Sequence, residues 1–144
     1  MPKAMWVVSA ETIKQLNSLV DSADAGAGPA KLKVYDGVVP ANGDAALSGN
    51  TLLVEQPLGD PAFGDAVDAV DKARATANPI SPAAILVGGA PSFFRVTDSN
   101  DVVKWQGLAG TTDEDLVVNA SPLVAPAQFE LSVFTVDQLE GPGS

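Results

Sequence analysis

The sequence predicts a mainly β domain, a sandwich or barrel with one N-terminal helix. Three observations predict it. About eight short runs of alternating or β-branched residues recur at spacings of roughly ten to fifteen residues. Clusters of Gly, Pro, Asn and Asp separate them. One stretch near the start carries the clearest helical periodicity.

That stretch begins with Ser9 as a plausible N-cap, followed by Ile13, Leu16 and Val20 on one stripe. Gly26 and Gly28 stop the helix, and Pro29 lies beyond them. A helix with a single apolar stripe is marginal alone and has to pack on something. From Lys31 the period becomes two: Leu32 and Val34 share one face of Lys31–Tyr35, and both lysines take the other. Pro40 to Asn50 reads as loop and Thr51 to Gln56 as a second strand, stopped by Pro57 and Gly59. Phe63 to Ala77 reads as irregular structure followed by a strand, because Ala73, Ala75 and Ala77 alternate with Arg74 and Thr76. Ala84 to Val87 is a short strand ending at Gly88-Gly89. Ser92 to Thr97 and Val102 to Gln106 form the best hairpin, around the turn Asp98-Ser99-Asn100-Asp101. Asp115 to Asn119 and Phe129 to Val136 complete the set. The chain thus divides into an N-terminal arm and helix over 1–28, a β domain over 29–138, and a flexible tail or vector remnant over 139–144.

At 144 residues, with 46% hydrophobic residues, the chain is long enough for one buried core. Its net charge is −10 with only 8 basic residues, which repels nucleic acid and anionic membrane surfaces. A basic protein surface or a divalent cation is the better match. The chain contains no Cys, so a disulfide framework and thiolate chemistry are excluded. It contains no His, so a Ser-His-Asp constellation and the usual zinc sites are excluded. Gly88-Gly89-Ala90-Pro91 has no Lys in the place a phosphate-binding loop needs. No run approaches a membrane span, and Ala4 to Val8 is too short for a signal-peptide core. A structural or binding module is expected rather than an enzyme, with no cofactor.

Five groups of residues remain as candidates. Asp98, Asn100 and Asp101 offer hard oxygen ligands for calcium in one turn, as does Asp113 to Asp115. Asp and Asn also form turns in their own right, and the turn reading is preferred. Asp65, Asp68 and Asp71, with the other acidic clusters, leave a carboxylate-dependent hydrolase as a remote alternative. Trp105, with Tyr35 nearby, would make a glycan-stacking platform if exposed, although a strand Trp more often serves core or interface. Arg95 needs a carboxylate partner if it faces inward. Met5, Trp6, Val7 and Val8 have no place in the helix stripe and are expected to dock on a neighbouring chain or cover an open end of the sandwich.

Several of these segments resemble small uncharacterised virion structural proteins of tailed bacteriophages and prophages. The resembling features are Lys31-Leu32-Lys33-Val34-Tyr35-Asp36-Gly37 behind a helix, Pro40-Ala41, Leu47, Thr51-Leu52-Leu53, Ser92 to Asp98, Gln106-Gly107, Gly110, Asp115 to Asn119 and Ser132 to Thr135. Ser99-Asn100 lacks the Gly expected at that turn. The resemblance implies a jelly-roll-like β-sandwich of about eight short antiparallel strands with one N-terminal helix. It implies a capsid decoration or cement role on the major capsid protein lattice, assembly in the host cytoplasm, and no catalytic residues. Homo-oligomerisation follows from lattice symmetry. A tail, tail-fibre or baseplate binding module, with surface glycans as its candidate ligand, is the alternative.

Overall fold

The computed structural model describes residues 6–80, 82–111, 116–118, 122–129 and 134–140. Among them lie helix α1 (Ser9–Ser22) and ten strands. These are β1 (Lys31–Tyr35), β2 (Leu52–Pro57), β3 (Val67–Asp68), β4 (Lys72–Thr76), β5 (Ala83–Ala84), β6 (Phe93–Thr97), β7 (Val103–Gly110), β8 (Leu116–Val117), β9 (Gln128–Phe129) and β10 (Thr135–Leu139). They form a five-stranded sheet ordered β2-β1-β6-β7-β8, a three-stranded sheet β10-β4-β3, and the pair β5-β9. The fold is mainly β, as expected. The pairings are antiparallel except β7 with β8, which run parallel and correct the all-antiparallel expectation.

The alternation in β1 sets its orientation. Leu32 and Val34 are fully buried, while Lys31 and Lys33 lie on the opposite, half-open face. The predicted hairpin is present: β6 pairs with β7 from Phe93↔Leu108 to Thr97↔Val103, with a register shift after Val96. All of β6 is buried, because it lies inside the sheet and both its faces are covered. An aromatic chain runs from β6 through Phe134, which precedes β10, and Phe63 back to Trp105 on β7. Phe94 meets Phe134 edge-on at 5.5 Å, Phe134 meets Phe63 at 5.5 Å, and Phe63 meets Trp105 at 5.7 Å.

Helix α1 packs on β4, β10 and β3 through Leu16 and Val20, with Thr12 also buried. Ser9 is not its cap. Val8 holds the extended N-cap conformation without a side-chain bond, and the Ser9 hydroxyl instead donates to the Glu140 carboxylate at 2.9 Å. The carboxylate of a distant residue wins over the local cap. Polar residues of the helix and its exit tie down the segment beneath: Asn17 Oδ1 accepts the Ala66 N–H, and Asp24 Oδ1 accepts the Ala62 N–H.

The later boundaries differ from expectation. The irregular-then-strand reading of 63–77 gains a short strand, β3, paired to β4 through a two-residue turn. The 84–87 strand shrinks to Ala83–Ala84, since the Leu86 and Val87 N–H groups both turn to the Leu53 carbonyl. In the 115–119 and 129–136 strands, β8 covers Leu116–Val117, β9 ends at Phe129 and β10 starts at Thr135; Asp115, Asn119 and 130–133 lie outside the described residues. β10 runs to Leu139, and the Glu140 N–H donates to the Asp71 carbonyl at 2.9 Å.

Phe63 touches Trp105 of β7 and Phe134, which precedes β10, and is buried, so its loss leaves a cavity the surroundings cannot close. Phe63→Ala is expected to cost about 3–5 kcal/mol in urea-induced unfolding. A loss below about 1 kcal/mol would show that the aromatic chain does not hold the core together.

Candidate functional site

The Asp98–Asp101 turn is built as a hairpin closure. Asp98 Oδ1 accepts the N–H groups of Asn100 at 2.8 Å and Val102 at 3.1 Å, the ordinary use of an Asp that opens a turn. Those bonds, the Val102 N–H first, hold the Asp98 carboxyl below its usual range, and Lys104 stands 3.6 Å away. Asp101 takes the left-handed backbone, φ 67°, that a glycine would otherwise fill, and Asp tolerates this. This accounts for the missing Gly at Ser99-Asn100. Its carboxylate reaches the neighbouring β1, where Lys33 Nζ donates at 2.8 Å and Lys31 Nζ at 2.9 Å. Those two ammonium groups, Lys33 foremost, pull the Asp101 carboxyl down to about 2. The calcium candidates are therefore already engaged: the Asp98 carboxylate by backbone and Lys104, and the Asp101 carboxylate by two lysines. Among the described residues no group of three or more His, Cys, Asp or Glu is placed to hold a metal. Asp113, Glu114 and Asp115 lie outside the described residues. Asp65, Asp68 and Asp71 are exposed around β3 and its turn.

Arg95 is buried, only 5% exposed, and its partners are not carboxylates. Nε donates to Gln106 Oε1 at 2.9 Å, and Nη2 donates to the Ala45 carbonyl at 2.6 Å and the Asn42 carbonyl at 3.3 Å. Gln106 in turn donates to the Pro40 carbonyl at 3.0 Å. The 40–45 loop is thus strapped over the outer face of β6 and β7. The expectation of a carboxylate partner fails because the planar guanidinium fork satisfies three oxygens that would otherwise be left unpaired.

Trp105 and Tyr35 do not form an open platform. Tyr35 is 7% exposed and stacks on Phe93 at 5.1 Å, and its burial raises the phenol pKa. Trp105 packs against the core and meets Phe63, and its buried Nε1–H has no acceptor. Beside it lies an open hollow of about 400 Å³ lined by Asn42, Asp44, Lys104 and Gln106 among others.

The N-terminal segment meets a different set of residues. The Val7 N–H donates to the Glu140 carbonyl at 2.6 Å, and Glu140 is bonded to Asp71. Three segments therefore converge, and each presents an apolar side chain to solvent: Trp6 at 64% exposed and Val8 on the first, Leu139 on the second, and Val70 at 85% on the third. Met5 lies outside the described residues. Val70 and Asp71 form the β3–β4 turn with φ of 30° and 62°, closed by the Ala69 N–H to the Lys72 carbonyl at 2.8 Å. Asn-Gly suits such a turn, and a β-branched Val there is strained. Around these apolar residues stand Asp68, Asp71 and Glu140. Sequence reasoning singled out Trp6, Val7 and Val8 but missed Val70 and Leu139, which no local pattern marks.

Charge organises all of these regions. Lys3 lies outside the described residues, and every other Lys and Arg has a partner. Lys14 bonds Glu11; Lys31 and Lys33 share Asp101, and Lys33 also reaches Glu55; Lys72 and Arg74 share Asp137; Lys104 faces Asp98. Asp137 is held below its usual range, first by its hydrogen bond from Arg74. Apart from Arg95, which bonds carbonyl oxygens, the described cations are thus paired with the domain's own carboxylates, and the unpaired charge that remains is negative. No protein-family model, curated protein or solved structure matches the chain.

Two predictions follow from these bonds. A depressed carboxyl stabilises the fold above its unfolded pKa and loses that effect as pH falls through its folded pKa. For Asp101 the loss falls between 3.8 and about 2. The titration midpoint of Asp101, followed by NMR, is expected near about 2, rising toward 3.8 in Lys33→Met. An Asp101 midpoint that stays put in Lys33→Met would refute the double clamp. Separately, Arg95→Ala is expected to cost about 2–3 kcal/mol, since it orphans the carbonyls of Asn42 and Ala45. Amide exchange in 41–46 should quicken in the same variant, and Arg95→Lys should recover little because it lacks the fork.

Proposed function

We propose that this chain is a bacteriophage virion structural protein that decorates or cements the lattice of the major capsid protein. The reading rests on one observation above the rest: the exposed apolar cluster of Trp6, Val8, Val70 and Leu139, set among carboxylates. Val70 makes the point most sharply. Its position calls for Asn or Gly, yet it carries a branched apolar side chain open to solvent. Strain kept at an exposed apolar residue is what a docking contact would retain. A partner that fits offers an apolar centre and a basic rim, since the described lysines and arginines are already paired within the domain. The resemblance to virion structural proteins supplies the class of partner, and on it we read the two larger sheets as the leaves of a jelly-roll-like sandwich. A glycan-stacking role on a tail has no comparable support, because Tyr35 is buried and Trp105 packs on the core.

The test is co-sedimentation of the purified chain with empty shells of the major capsid protein encoded in the same genome. Stoichiometric binding that weakens with salt is expected; a chain left wholly in the supernatant would end the proposal. Val70→Asn separates docking from folding. It should raise stability by about 1 kcal/mol by relieving the turn. It should also weaken shell binding about tenfold, a loss of about 1.4 kcal/mol. Unchanged shell affinity in both Val70→Asn and Trp6→Ala would remove the apolar cluster from the contact.

A further inference from the structure

We infer that two copies of this chain associate through a charge-free face built around β5 and β9, at a place separate from the acidic apolar cluster. Residues 75–94 and 116–129 contain no Asp, Glu, Lys or Arg, and they are the longest such runs in a chain of net charge −10. The fold lays one run against the other. Ala83 pairs with Phe129 and Ala84 with Gln128. The Ile85 N–H donates to the Ala127 carbonyl at 2.8 Å, and Gly89 and Leu123 exchange hydrogen bonds of 3.0 and 2.7 Å. At Gly88 a Cβ would lie 3.1 Å from the Leu123 carbonyl, so this close approach favours a residue without one.

The result is a knuckle whose apolar side chains point outward. The Leu86 and Val87 N–H groups are both held by the Leu53 carbonyl, which satisfies the backbone and leaves the side chains in solvent. Leu86 is 58% exposed, Val87 also stands open, and Val124 on the facing run is 63% exposed. An apolar hollow of about 360 Å³ lies along the first run, lined by Pro57, Leu58, Pro79, Ile80, Pro82 and Ala83. One carboxylate comes close to this face: Asp36 Oδ2 lies 3.7 Å from where a Gly89 Cβ would be, and its other oxygen accepts the Thr51 N–H.

Charge decides the occupant. A two-fold contact places a patch against its own copy, so like charges in the patch face each other. On so acidic a chain, a carboxylate-bearing face opposes itself, and this neutral face does not. A basic partner gains no attraction here and is drawn to the acidic surfaces instead. An apolar, uncharged patch is also the composition that contacts between identical chains favour.

Light scattering and sedimentation velocity on the full chain test this. At about 100 μM the wild type should show twice the 14.6 kDa mass of one chain, a dissociation constant of order ~10 μM giving mostly dimer. Leu86→Glu and Val124→Glu each set a carboxylate against its copy and should raise that constant at least ~10-fold. Both positions are exposed, so the thermal midpoint should hold, and Leu86→Ser gives a neutral version of the same change. Trp6→Glu, in the acidic cluster, should leave the mass unchanged. A wild type that stays monomeric at about 100 μM overturns the inference. So does association that survives both glutamate variants, association lost in Trp6→Glu, or a complex of more than two copies. Shell binding and pairing are read by different variants, so failure of one leaves the other standing.

Discussion

The central strand β6 has to be dry on both faces, and much of the fold is arranged around that requirement. Phe94 and Val96 look toward the core, where the aromatic chain through Phe134, Phe63 and Trp105 covers them. Phe93, Arg95 and Thr97 alternate with them and take the other face. That side is covered by Tyr35 stacked on Phe93 and by the 40–45 loop strapped to Arg95. An arginine in an apolar strand is costly unless its donors are satisfied. Here the guanidinium is the strap itself, so the charge that burial penalises is also what keeps the covering loop in place.

A second constraint is the shortage of basic residues. Two carboxylates, Asp101 and Asp137, each hold a pair of cations, and both sit where strands from different parts of the chain meet. Asp101 locks the β6–β7 turn to β1, and Asp137 locks β10 to β4. Such partly exposed pairs contribute little individually. Their larger effect is on what remains outside: a surface with excess carboxylate, interrupted by a charge-free face and by one apolar cluster.

The parts of this design legible in the sequence are those encoded locally. The Lys31–Tyr35 alternation and the Phe93 to Gln106 hairpin read correctly, because period and turn residues lie within a few positions of each other. The β3–β4 hairpin was obscured because Val70-Asp71 is not turn chemistry, and the parallel β7–β8 pairing has no local signature. Ser9 looked like a cap because Glu140 lies at the other end of the sequence. Arg95 looked as if it wanted a carboxylate because carbonyl partners from a loop cannot be seen in a string of letters. At the candidate site, Trp6 and Val8 stood out by their apolar character. Val70 and Leu139 join them only through the hydrogen bonds that run from Val7 through Glu140 to Asp71.

Those same bonds bear on the order in which the chain is made. Helix α1 is synthesised early, yet its seat is β4 and β10, and its first turn is tied to Glu140. A fourteen-residue helix with one apolar stripe has little stability of its own in water. It must therefore wait, unfolded or loosely held, until nearly all of the residues described here have left the ribosome. Most pairings of this unit are long-range, and such pairings form slowly. During that interval the apolar stripe, the open edge of β4 and the charge-free runs are all exposed together, and the chain's strong negative charge is what keeps neighbouring nascent copies apart.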